Sequence, residues 1–118
     1  MDYKIKVSDL TTRIEIQNFI TTTNTNNFEE EAWVEYKTVW SKKEDVSGRE
    51  YYSAKAVQSE NDVKFTIRYS NNTKILLEKD ATKKYRIKCR DTIYNLMPPK
   101  NLKEKNEWIE IRSVSTNE

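Results

Sequence analysis

Ile14 and Ile16 alternate with Arg13, Glu15 and Gln17, so one face of this short segment is apolar and the other polar. That period of two marks a half-buried strand, because successive side chains of a strand point to opposite faces. Val63, Phe65, Ile67 and Tyr69 repeat the pattern against Lys64, Thr66 and Arg68. Tyr85, Ile87 and Cys89 repeat it against Arg86, Lys88 and Arg90. Glu31–Ser41 carries Trp33, Val34, Tyr36, Val39 and Trp40, which fit no single period. Val34, Tyr36, Thr38 and Trp40 share one strand face, while Trp33 and Val39 lie opposite. Aromatic and β-branched enrichment favours a strand that is partly buried on both sides or carries a bulge.

The segments between these strands supply the punctuation. Thr21–Asn27 holds only threonine and asparagine and reads as an exposed loop. Ser47-Gly48-Arg49-Glu50 matches a capping box, in which Ser47 accepts from the Glu50 amide and the Glu50 side chain reaches back. Tyr51–Gln58 then predicts a polar helix of about two or three turns, marginal in isolation, with an extended loop as the rival reading. Asn71-Asn72 signals a turn, Lys74–Glu78 a short apolar strand, and Asp80–Lys84 a polar connection. Thr92–Met97 reads as a strand ended by Pro98-Pro99, Lys100–Glu107 as a charged loop, and Trp108–Val114 as the final strand. The pattern predicts an all-β fold. Its form is a small β-barrel of six or seven strands, with one short helix or long loop inserted between the second and third strands. No repeat or linker divides the chain, so residues 1–118 read as one domain.

Composition narrows the chemistry more than the architecture. A chain of 118 residues with 36% hydrophobic and 34% charged residues builds one modest core, which assembly with other copies would help to stabilise. No apolar run approaches the ~20 residues of a membrane span. Met1–Val7 alternates charged and apolar residues, so neither a signal peptide nor a membrane association is expected. The chain has no histidine and one cysteine, Cys89. The commonest general base, Cys/His zinc sites and an internal disulfide are thereby excluded. No calcium-loop, phosphate-loop or activated-serine signature appears, so neither an enzyme nor a cofactor is expected. A net charge of +2 gives no whole-chain case for nucleic-acid binding.

The remaining candidates have bland readings beside the sharp ones. Cys89 lacks a partner base and fits a small buried residue. Glu29-Glu30-Glu31 reads most simply as a solvated approach to a strand. Arg86, Lys88 and Arg90 would stand about 7 Å apart on one strand face. That row could track phosphates, but pairing with carboxylates of a neighbouring strand or subunit, such as Glu78 or Glu110, is favoured. Trp33, Tyr36 and Trp40 are expected to fill the barrel core. A single-strand nucleic-acid binder of OB type would instead alternate aromatics with Lys or Arg on the exposed face of adjacent strands.

Six short motifs occur in a particular order: Arg13–Gln17, Trp33 with Val39-Trp40, Ser47-Gly48-Arg49-Glu50, Ile67-Arg68-Tyr69, Ile75, and Tyr85-Arg86-Ile87. In that order the chain resembles the head–tail joining (head-closure, or stopper) proteins of long-tailed bacteriophages, over most of Leu10–Arg112. The resemblance implies a structural virion protein, assembled in the bacterial host cytoplasm and located at the head–tail interface. It implies a homo-oligomeric ring, a dodecamer, beneath the portal or an adaptor. Such a ring closes the DNA channel after packaging, contacts packaged DNA transiently and offers a surface to a tail protein. It also implies that the connection between the second and third strands, here Lys42–Glu60, faces the channel. Ser47, Gly48, Arg49, Glu50, Tyr51 and Tyr52 would then form a gating loop. Arg86, Lys88 and Arg90 would form an inter-subunit or DNA-facing strand face. A tail-completion protein of similar barrel fold and a small OB-like nucleic-acid-binding module are the alternatives.

Overall fold

The computed structural model describes residues 5–45 and 62–115. Its strands are β1 (Thr12–Thr23), β2 (Glu29–Asp45), β3 (Asp62–Arg68), β4 (Tyr85–Cys89), β5 (Thr92–Leu96), β6 (Lys100–Asn101) and β7 (Trp108–Ser115). All pair antiparallel in one 7-stranded sheet. The pairing runs β3–β2–β1–β4–β5–β7 and returns to β3, so six strands close into a ring. Closure gives every strand of the ring a neighbour on both sides over part of its length, which removes most of the open edge. The all-β, barrel-like expectation holds. The proposed helix or loop at Ser47–Gln58 lies outside the described residues.

The predicted alternation decides what enters the ring. Ile14, Ile16, Phe65, Ile67, Leu76, Ile87, Ile109 and Ile111 are each at most 1% exposed. Phe65 meets Tyr94 edge-on, with ring centroids 5.2 Å apart. Cys89 joins this cluster as a buried free thiol. β6 shares one edge of β7 with β5: β5 pairs with Ser113–Ser115, and β6 with Ile109 and Glu110. Pro98-Pro99 lies between them and cannot donate to the ladder, so one strand is broken into two. The Met97 amide still donates to the Arg112 carbonyl at 2.8 Å.

Three local expectations are corrected. Ile75-Leu76-Leu77 is not a strand but part of a 3₁₀ turn, Lys74–Leu77, which drops Leu76 into the core. Its entry is fixed by buried Thr73, whose hydroxyl donates to the Arg68 carbonyl at 2.8 Å and accepts from the Ser70 amide at 2.9 Å. The connection before β4 contains one helical turn, α1 (Ala81–Lys84), entered through Asp80 at φ 72°. The third correction concerns Thr21–Asn27. Thr21, Thr22 and Thr23 continue β1 and pair with Glu31, Glu30 and Glu29.

This last change lengthens the β1–β2 hairpin into an arm. β1 pairs with β4 only over Glu15–Asn18, and β2 pairs with β3 only over Ser41–Asp45. Among the described residues, Phe19–Thr23 and Glu29–Trp33 therefore pair only with each other and project beyond the ring by roughly 17 Å. A two-stranded ribbon is marginal by itself. Here Asn24 organises the tip: its Oδ1 accepts from the amides of Asn26 and Phe28 at 2.9 and 3.0 Å, and its Nδ2 donates to Glu30 Oε1 at 2.7 Å. Asn27 takes the left-handed conformation, φ 64°, that asparagine tolerates better than most residues.

Candidate functional site

Of the two readings of Glu31–Ser41, partly buried on both sides or bulged, the structure shows a bulge, at Tyr36. Ile16 faces Lys37 and Gln17 faces Glu35, leaving Tyr36 unopposed. One extra residue switches the parity of the strand. Trp33 and Trp40, an odd number of positions apart, therefore face the same way, which is outward. Trp40 is opposite Arg13 and Trp33 opposite Phe19. This overturns the expectation that Trp33, Tyr36 and Trp40 fill the core: Trp40 is 49% exposed, Tyr36 36%, and Trp33 is half-buried on the outer surface. Among the described residues the buried cluster is aliphatic apart from Phe65, Tyr94 and Cys89.

The outer tryptophans are covered by cations. The Arg13 guanidinium lies 5.1 Å from the Trp40 ring centroid, and that of Arg86 lies 4.4 Å from the Trp33 ring. Phe19 packs against Trp33 with centroids 5.0 Å apart. Arg86 Nε donates to Gln17 Oε1 at 2.6 Å, and Gln17 Nε2 donates to Glu15 Oε2 at 2.7 Å. Gln17 points outward with Glu15, yet it is only 8% exposed, because Arg86 and its neighbours roof it over. Burial pulls the Arg86 guanidinium below its ordinary value, and the nearby Glu15 carboxylate opposes that shift. The arm is thus tied to β4 by a stack of Phe19, Trp33, Arg86 and Gln17.

The three cations expected on one strand face are not equivalent. Arg86 is half-buried in this stack, Lys88 is exposed opposite Glu15, and Arg90 lies past the strand in the β4–β5 turn at φ 57°. Only Arg86 and Lys88 share the face. Glu110, considered as their partner, instead pairs with Lys64 at 3.6 Å, which also approaches Glu44 at 3.5 Å. Ser47, Gly48, Arg49, Glu50, Tyr51 and Tyr52 lie outside the described residues. The connection that holds them leaves and returns at adjacent points, because Asp45 pairs with Val63.

At the arm's base, Tyr85 packs edge-on against Tyr36 at 5.6 Å, and the Tyr36 hydroxyl donates to the Asn72 carbonyl at 2.8 Å. Burial raises the Tyr85 pKa, helped by the neighbouring Tyr36 side chain and the Glu78 carboxylate, beside which a phenolate is disfavoured. A pKa raised by folding contributes stability below the unfolded value, near 10, which is lost as pH rises through the folded value. Thermal melts should therefore show an alkaline loss of stability above about pH 10, and Tyr85→Phe should reduce it. An alkaline limb identical in the two proteins would assign the loss elsewhere.

An open groove of about 740 Å³ lies where β2 and the segment after β3 diverge. Val7, Leu10, Val39, Trp40 and Tyr69 supply its apolar lining, and its charged lining residues, Lys37 and Arg68, are both cations. Among the described residues no group of three or more His, Cys, Asp or Glu is placed to hold a metal ion. No helix there is long and apolar enough to cross a membrane.

These features define a small closed β module whose distinctive chemistry sits on its surface: an acidic arm, arginine–aromatic stacks and an apolar groove with basic walls. The chain belongs to the phage head completion protein family, whose model matches residues 5–116. Its role is accordingly that of a structural component of the virion, in contact with other virion proteins. The fold is similar to the solution structure of protein SF1141 from Shigella flexneri 2a, with a TM-score of 0.67 and 24% identity, covering 97% of this chain and 99% of that one. It is also similar to a chain of the virion of the native gene transfer agent particle, with a TM-score of 0.54 and 9% identity, covering 91% and 96%. No curated protein matches the sequence significantly.

Proposed function

We propose that this protein acts by forming a homo-oligomeric ring, a dodecamer, beneath the portal or an adaptor. That ring closes the DNA channel after packaging and offers the tail its docking surface. Family membership over residues 5–116 is the observation that carries the reading. The physical features suit it. A rigid closed ring of strands gives each copy a fixed shape, and repeated head-to-tail contacts between such copies close into rings. A net charge of +2 is compatible with a channel that must release DNA, whereas strong phosphate binding would retain it.

In this reading the connection between β2 and β3, with Ser47, Gly48, Arg49, Glu50, Tyr51 and Tyr52, reaches the channel axis. Many copies brought together there build a plug that one chain cannot. The Asp45–Val63 pair closes the barrel behind that connection, so the connection can change without disturbing the core. Deleting Gly48–Val57 should leave the thermal unfolding transition and connector docking intact while filled heads lose DNA. An unfolded deletion variant would make the segment part of the core and end the gating idea.

One observation favours a second reading. Arg13 with Trp40 and Arg86 with Trp33 form aromatic–cation pairs on the outer face, the arrangement a nucleic-acid-binding module would use. Arg86 covers its ring, however, and the adjoining arm is acidic. Oligonucleotide titration separates the two: strong binding that weakens steeply with salt belongs to the nucleic-acid module alone.

A further inference from the structure

Charge is divided between the hairpin arm and the rest of the chain. From Phe19 to Trp33 there are three carboxylates (Glu29, Glu30 and Glu31) and no basic residue. Of 19 carboxylates in the chain, taking away these three leaves 16 against all 21 basic residues. At the arm's tip Phe28 is 67% exposed, immediately before Glu29, Glu30 and Glu31, which are exposed as well. An ordered Asn24 turn thus presents one apolar side chain flanked by three acids at the end of the arm. Charged side chains on a free strand edge have a protective use, because they discourage aggregation. That use accounts for the glutamates but not for Phe28.

The groove is the complement of this tip. Val39, Trp40 and Tyr69 contribute apolar surface to it, and Lys37 and Arg68 line it as well. The arm cannot fold back into its own groove. Phe28 and Val39 are joined by the extended strand β2, which holds them roughly 35 Å apart. We infer that the acidic arm of one copy docks into the basic-walled apolar groove of a second copy, with Phe28 on the apolar surface and Glu29–Glu31 facing Lys37 and Arg68. The contact joins two different surfaces, so each copy keeps a free groove or a free arm after pairing, and repetition gives a ring if the rotation closes. This contact rests on the ring reading above and supplies the inter-subunit geometry it requires.

The test uses the full chain with a photo-cross-linking amino acid at position 28, irradiated first alone and then on portal–adaptor connectors. Intermolecular cross-links to peptides spanning 37–40 or 68–73 are expected. The arm variant E29K/E31K, which leaves the Asn24–Glu30 bond intact, and the groove variant K37E/R68E should each weaken self-association ~10-fold or more at low salt. Mixing the two should restore association, because both arm–groove contacts between unlike copies again join opposite charges. Cross-links to other surfaces, charge variants without effect, or a chain that stays monomeric without cross-links both alone and on connectors would overturn the contact. Position 28 cross-linked to an adaptor subunit would leave the head-completion reading standing while this contact fails. Arm–groove cross-links without connector binding would do the reverse.

Discussion

Phe65→Ala should lower stability by about 3–5 kcal/mol, the cost of deleting a fully buried aromatic ring from a core that relaxes only in part. Phe65 is 0% exposed, and its backbone sits where the ring of strands is tied most fully. β3 pairs with β7 over all seven residues, Asp62–Arg68, and with β2 on its other edge, so no neighbouring strand can collapse into the gap without breaking a ladder. Tyr94 would also lose its edge-on partner. Stability of a domain this size is itself only about 5–15 kcal/mol, so the variant should melt many degrees lower and populate unfolded chain in mild denaturant. A denaturant midpoint close to that of the parent protein would show that the core packs differently from this account.

Arg86→Ala should cost about 2–3 kcal/mol, although it removes a charge from the outer surface. Most exposed charges contribute little. Arg86 differs because two losses coincide: the cation over Trp33, and the donor to the Oε1 of the nearly buried Gln17. Arg86→Lys keeps the charge but not the planar fork, and should recover only a minor part. The loss should be local to the arm, so hydrogen exchange of the Phe19–Thr23 amides should accelerate more than that of the Ile109 and Ile111 amides. Uniform acceleration across both regions would mean that the arm and the barrel open together. Tryptophan fluorescence gives a second readout, since the Trp33 ring loses its stacked neighbour.

These two sites mark where the sequence was legible and where it was not. The inward face could be read from alternation, because burial selects every second residue: Ile14/Ile16, Val63/Phe65/Ile67 and Ile87/Cys89 all lie as their spacing implied. The tryptophans could not be placed, because one bulge at Tyr36 inverts the parity between residues 33 and 40. Size argued for the core; the compensating arginines come from β1 and β4, distant in sequence. The arm was hidden for a related reason. Threonine and asparagine read as loop, yet Thr21–Thr23 form a ladder with Glu31–Glu29 whose stability comes from the Asn24 turn and the Phe19–Trp33 pair. Lys74–Glu78 looked like a strand, since a short apolar run has no period of its own, and the Ser70–Thr73 hydrogen bonds decide for a turn over Lys74–Leu77. Of the proposed site residues, Arg86 matters through the arm stack, a role its position in a basic row did not suggest. The groove brings together Val7, Val39 and Tyr69, which no local pattern joins.

The proposed role, completing phage heads as a ring on the portal side of the tail, is open to direct imaging. The most direct measurement is negative-stain electron microscopy of the protein mixed with the portal–adaptor complex encoded in the same gene cluster. An added ring at the narrow end of the connector, with its channel occluded, is expected. Connectors that gain no density at a saturating excess of the protein would contradict it.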